Sequence, residues 1–73
     1  MDFIIFGKNI NYILNIKYNG NHPSFQKALN LSNGMIGKYI KGQKPSIETL
    51  DRLKDLTGYT IDDLLYKDLS AEE

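Results

Sequence analysis

The sequence predicts an all-α fold built from five short helices. Apolar residues recur at spacings of three and four along most of the chain, as they do on helices that bury one face. Side chains suited to helix starts stand ahead of these runs at Asn21, Ser32, Ser46 and Thr60, and glycines follow two of them at Gly42 and Gly58. Seventy-three residues make one small domain, expected over residues 1–69, with residues 70–73 as a tail that should fray.

The first helix is expected over residues 3–17. Phe6, Ile10, Ile13 and either Leu14 or Ile16 form its buried stripe. Asn9, Asn11 and Asn15 are indifferent helix formers, so packing rather than propensity must hold this helix. Ile4 and Ile5 are β-branched and leave a short edge strand as the alternative. The run Phe3-Ile4-Ile5-Phe6 is more apolar than one helix face needs, which points either to a wrap over the core or to contact with a second subunit.

Residues 18–21 read as a loop in which Asn19-Gly20 favours a left-handed turn. Asn21 caps a second helix over residues 22–29, with Pro23 in its first turn and Phe25, Ala28 and Leu29 inward. Residues 29–32 supply a tight turn. Ser32 then caps a third helix over residues 33–40, whose apolar positions are Met35, Ile36, Tyr39 and Ile40. The face opposite carries Asn33, Gly34, Gly37, Lys38 and Lys41, small, polar and basic, which suits a helix lying against a phosphate-lined groove. Gly34 and Gly37 each cost roughly 1 kcal/mol relative to alanine inside a helix. Close helix packing and close approach to a ligand surface both account for them.

Gly42 ends the third helix and residues 43–46 link it to the next. Ser46 caps a fourth helix over residues 47–57, with Ile47, Leu50, Leu53 and Leu56 inward and Glu48 adding charge to the first turn. Gly58 closes it and Tyr59 packs back under the turn. Thr60 caps a short fifth helix that buries Ile61, Leu64 and Leu65. Tyr66 and Leu69 either finish the core or begin an interface.

No cysteine is present, so neither a disulfide nor a thiolate zinc site can add stability to so small a core. The apolar run at the start is far too short to span a bilayer and no positive stretch precedes it, so the expectation is a cytoplasmic protein without a membrane partner. Net charge is zero, but its distribution is uneven. Residues 1–44 hold six lysines and one acid, a balance of +5, and residues 45–73 hold three basic and eight acidic residues, a balance of −5. Such a dipolar molecule can turn a basic end to a polyanion. His22 reads as a surface group at a helix start or as a donor to a backbone phosphate. With a single histidine, a catalytic or metal role has almost no support.

Four segments together resemble one family. They are Phe6-Gly7-Lys8-Asn9-Ile10 in the first helix; Leu31-Ser32, Met35-Ile36, Lys38-Tyr39-Ile40 and Gly42 around the third; Lys44-Pro45-Ser46-Ile47-Glu48-Thr49-Leu50; and Gly58-Tyr59-Thr60-Ile61-Asp62-Asp63-Leu64-Leu65. The chain resembles the Cro/C1-type helix-turn-helix domains of phage repressors and bacterial transcriptional regulators, and the likeness runs over nearly its whole length. It departs from the family pattern at His22, where a glutamine usually braces a phosphate, and at Gln26, where an alanine usually stands.

The resemblance implies a λ-repressor-like domain with its helix-turn-helix unit over residues 21–42, binding double-stranded DNA as a transcriptional regulator, most simply a repressor. The third helix would enter the major groove. Asn33 would contact a base, since an amide can pair with adenine in a bidentate way, with Gly34 allowing close approach and Lys38 reaching a guanine edge or phosphate. His22, Ser32, Lys41, Gln43 and Lys44 would contact phosphate. One such domain buries little interface, so a homodimer on a palindromic operator is expected. Leu65, Tyr66 and Leu69, with Phe3 and Ile4, are the candidate dimer surface.

The alternative from another class is a protein-binding adaptor or antirepressor on the same fold, favoured by the zero net charge and the tyrosines. An enzyme is disfavoured. No nucleophile–base pair or glycine-rich phosphate loop is present, and Asp62-Asp63 suit the positive end of a helix better than a metal. No catalytic, metal or cofactor residue is assigned.

Overall fold

A computed structural model describes residues 3–72. In it α1 (Ile4–Tyr18), α2 (His22–Ala28), α3 (Met35–Ile40), α4 (Ile47–Thr57) and α5 (Ile61–Tyr66) follow one another and end in a 3₁₀ turn (Leu69–Glu72), with no strand among the described residues. The edge-strand alternative for Ile4 and Ile5 therefore gives way to helix.

α1 is the element against which most of the others pack. Phe6, Ile10, Ile13 and Leu14 are buried, while Ile16 faces solvent, which resolves the choice at the end of its stripe. Its last residue, Tyr18, expected in the following loop, stacks on Phe25 of α2 with ring centroids 4.8 Å apart. Phe6 meets Tyr39 of α3 edge-on at 5.6 Å, the geometry aromatic quadrupoles favour. Of the glycines, Gly7 is the one pressed against another backbone. A Cβ built there would lie 2.6 Å from Ile40 O and 2.8 Å from Tyr39 O, so α1 and α3 can touch only because Gly7 has no side chain. Gly34 and Gly37, for which close packing was one reading, have open space at the corresponding position.

The end of α2 sets where α3 can begin. Leu31 N–H donates to Gln26 O at 3.0 Å and Asn30 N–H to Lys27 O at 3.1 Å, with Asn30 left-handed at φ 56°. This is the paired closure in which a left-handed residue stops a helix. Met35 N–H then donates to Ser32 O at 3.2 Å, and Gly34 sits at φ 82°, ψ −5°, the third position of a type II turn. Asn33 and Gly34 therefore belong to the turn rather than to the helix. α3 starts at Met35, with Gly34 ahead of it and no side-chain cap. The expected cap from Ser32 is corrected to a backbone contact. The exit of α3 repeats the paired closure, with Gln43 N–H on Lys38 O, Gly42 N–H on Tyr39 O and Gly42 at φ 103°.

The caps expected at Asn21, Ser46 and Thr60 are made. Each side-chain oxygen accepts the backbone N–H three residues on, from Ser24, Thr49 and Asp63. In α4 the inward set is Thr49, Leu50 and Leu53, whereas Ile47 is 75% exposed and Leu56 37%. The physical reason is helical drift. Steps of three residues rotate by roughly 60° short of a full turn, so a row from Ile47 to Leu56 fans across half the helix and its ends fall at the rim. Ala28 of α2, also expected inward, is exposed. Pro45 in the linker is buried.

Leu69 is the largest revision at the carboxyl end. Offered as a dimer-surface residue, it is instead 3% exposed and part of the core with Leu53 and Leu64. What draws it in is Asn9 of α1, a fully buried polar side chain. Asn9 Nδ2 donates to Leu64 O at 2.8 Å and Lys67 O at 2.7 Å, and Asn9 Oδ1 accepts Leu69 N–H at 2.9 Å. The amide thus satisfies carbonyls that the end of a six-residue helix leaves without intrahelical partners. Residues 70–72, expected to fray, continue from this anchor in the 3₁₀ turn, where Ser70 hydrogen-bonds Asp68. Glu73, the rest of the expected tail, lies outside the described residues.

Candidate nucleic-acid interface

The residues singled out for a polyanion come from four consecutive pieces of chain. His22 opens α2, Ser32 to Gly34 form the turn, Lys38 lies on α3, and Lys41, Gln43 and Lys44 follow its end. All eight candidates are solvent-exposed. Gly34, Lys38 and Lys41 are four and three residues apart, so they fall on one side of the helical turn path. Ile36 and Tyr39, which anchor α3, are buried on the other. The burial of those two side chains is what turns the basic row outward.

The lysines on this surface lack ion-pair partners among the described residues. One ion pair, Lys8–Asp68 at 3.9 Å, joins residues near the two ends of the sequence. Lys27, Lys38, Lys41 and Lys44 have no described carboxylate within ion-pair distance. The acids concentrate in and after α4, so the two charge halves read from the sequence are carried by different helices.

One contact at this surface was not anticipated. Gln26 Nε2 donates to Asn33 Oδ1 at 2.9 Å across the turn. The partner of Gln26 is not legible in the sequence because the bond depends on how the turn folds back. It fixes the orientation of the Asn33 amide while leaving Nδ2 without a partner among the described residues. Asn33 therefore stands ahead of α3 as a braced, outward amide rather than as a residue within the helix.

The proposed dimer surface divides. Tyr66 is 75% exposed and Ile4 58%, Phe3 and Leu65 are half-buried against the core, and Leu69 is interior. Ile47 joins the exposed apolar residues, contrary to expectation. Among the described residues no group of three or more histidines, aspartates and glutamates could hold a metal ion. Asp62 and Asp63 lie in the first turn of α5, with Asp63 N–H on the Thr60 hydroxyl. No helix is long and apolar enough to cross a membrane among the described residues. Two open clefts, of about 330 Å³ beside Lys8, Tyr12 and Ser70 and about 310 Å³ between the turn and α4, contain no histidine.

No protein-family model matches the chain, and no curated protein or solved structure matches it.

Proposed function

We propose that the chain is a λ-repressor-like helix-turn-helix protein of Cro/C1 type that binds double-stranded DNA in a sequence-specific way and regulates transcription, most simply as a repressor. The observation that carries this reading is the unit from His22 to Lys44. Two short helices are joined through left-handed Asn30, and the second is anchored by Ile36 and Tyr39. An exposed lysine row without ion-pair partners among the described residues runs from it. Helix-turn-helix proteins set such a second helix in the major groove, with residues at its amino end contacting base edges.

On this reading Asn33 reads an adenine, held in register by Gln26, with Gly34 permitting close approach and Lys38 reaching a guanine edge or phosphate. His22, Ser32, Lys41, Gln43 and Lys44 hold the flanking phosphates and set the register. Ile4, Tyr66 and the edge of Leu65 supply the contact between two copies on a palindromic site. The exposed apolar side chains Ile4, Ile47 and Tyr66 favour a second reading, a protein-binding adaptor on the same scaffold.

Selection of bound sequences from a random duplex library at two salt concentrations separates the two. DNA binding through six to ten phosphates falls by roughly 10³–10⁵ in affinity between 50 and 200 mM salt, and an enriched palindrome should emerge at low salt. Asn33→Ala should abolish enrichment at one position of each half-site and keep most of the binding. Absence of enrichment, with binding insensitive to salt, would favour the adaptor.

A further inference from the structure

The chain contains two Asn–Gly steps, Asn19–Gly20 and Asn33–Gly34, and folding puts their glycine amides in opposite situations. Gly20 N–H donates to Leu14 O at 3.0 Å, at the closure of α1. Gly34 N–H, inside the turn before α3, donates no hydrogen bond among the described residues. An Asn–Gly step is chemically exposed because glycine has no Cβ to obstruct attack by its nitrogen on the preceding side-chain amide.

We propose that Asn33–Gly34 is a self-modification site, at which the Asn33 amide is converted to a carboxylate through a cyclic imide, and that the fold protects Asn19–Gly20 from the same reaction. Gly34 N gives its proton to a solvent base and bonds to Asn33 Cγ, and the carbonyl electron pair moves onto Oδ1. Collapse of this tetrahedral centre breaks the Cγ–Nδ2 bond, and Nδ2 leaves with a proton as ammonia. Water then adds its hydroxyl to either carbonyl carbon of the imide, the bond from that carbon to the ring nitrogen breaks, and the nitrogen takes up a proton. The product is aspartate or isoaspartate at position 33. The balance is one water consumed and one ammonia released, with no oxidation or reduction.

The Gln26 contact assists rather than shields. A hydrogen-bond donor already aimed at Oδ1 stabilises the oxyanion formed on attack, and the leaving nitrogen has no partner among the described residues. At Asn19–Gly20 the attacking nitrogen must first give up its bond to Leu14 O. The consequence for function rests on the DNA-binding reading. The reaction replaces an amide that matches adenine with a negative carboxylate facing phosphates, which removes a donor and adds like-charge repulsion. Aged protein would then lose its operator without unfolding.

The test is peptide mapping by mass spectrometry after incubation at mildly alkaline pH, folded and in urea. The ratio of conversion at position 33 to that at position 19 should rise on folding by roughly five-fold or more, the factor that a net hydrogen bond of ordinary strength supplies. An equal ratio in the two states overturns the proposal, as does a folded protein in which neither site converts while both convert in urea. Asn33→Asp should weaken binding to the selected duplex at least about ten-fold, as expected for loss of a bidentate base contact. Failure to select any duplex sinks the DNA-binding reading, whereas the mass ratio alone decides the modification.

Discussion

Replacing Asn9 with alanine should destabilise this domain severely. Its amide is fully buried and supplies two donors to Leu64 O and Lys67 O and one acceptor to Leu69 N–H. Truncation leaves those backbone groups without a partner, at about 1–3 kcal/mol each when water cannot replace it. Lys67 lies at the surface, so water can recover its carbonyl in part, and the expected loss is about 3–5 kcal/mol. A domain of this length has a total stability of about 4–11 kcal/mol, so the variant would lose from roughly a quarter of it to all of it. Urea unfolding followed by far-ultraviolet circular dichroism gives the comparison, provided the slope with denaturant is unchanged. Asn9→Asp is the sharper companion. At neutral pH it turns a carboxylate toward two carbonyls, and protonation restores a donor, so its stability relative to wild type should improve as pH falls. A loss below about 1 kcal/mol for Asn9→Ala, close to what a surface substitution costs, would refute the role given to this amide.

Three further outcomes follow from the same contacts. Gly7→Ala should cost about 1–3 kcal/mol through overpacking, since its Cβ would meet the backbone of Tyr39 and Ile40; Gly37→Ala, with open space, should add roughly 0.5–1 kcal/mol, and thermal melts of the pair would show opposite shifts. Lys38→Ala and Lys41→Ala should each lower the salt slope of DNA binding by about 1 for every lysine removed from the complex, read from binding isotherms across a salt series; an unchanged slope removes that lysine from the interface. The Ser70 hydroxyl, 2.6 Å from Asp68 Oδ1, and then the Lys8 ammonium hold the Asp68 carboxyl below its ordinary pKa. A carboxyl lowered on folding adds stability that is present above its unfolded value and lost as pH falls through the folded one. Ser70→Ala should therefore raise the Asp68 pKa in a carboxyl NMR titration and make the acid-side loss of stability shallower.

The readable part of the fold was local. Capping at Asn21, Ser46 and Thr60 depends on a side chain and an amide three residues away, and left-handed Asn19-Gly20, Gly42 and Gly58 depend on their own torsions. The errors share a different cause. Ile47 and Leu56 were placed inward because they continue a row of leucines, but which arc of α4 is covered depends on where α3 and α5 lie. The Ser32 cap failed because the closure after α2 uses up Leu31 and leaves Asn33-Gly34 to turn the chain. Asn9, read as an indifferent helix former, is the buried amide that joins α1 to the last turn. Its spacing, three residues after Phe6 and four before Ile13, sets it on the buried stripe and apart from the exposed Asn11 and Asn15, but its partners at the carboxyl end of the chain leave no local trace.

The candidate site divides in the same way. The sequence by itself determined the five-helix framework, the charge split between its halves and the residue types that could face a polyanion, because these follow from composition, torsional preference and spacing along one chain. Tertiary structure decided which of them are held and how. It braced Asn33 with Gln26, freed the Gly34 amide while engaging that of Gly20, drew Leu69 inside and left Tyr66 and Ile4 outside. Those outcomes rest on contacts between residues far apart in the chain or across a folded turn. Their geometry exists only once α1, the turn and the carboxyl end have packed against one another.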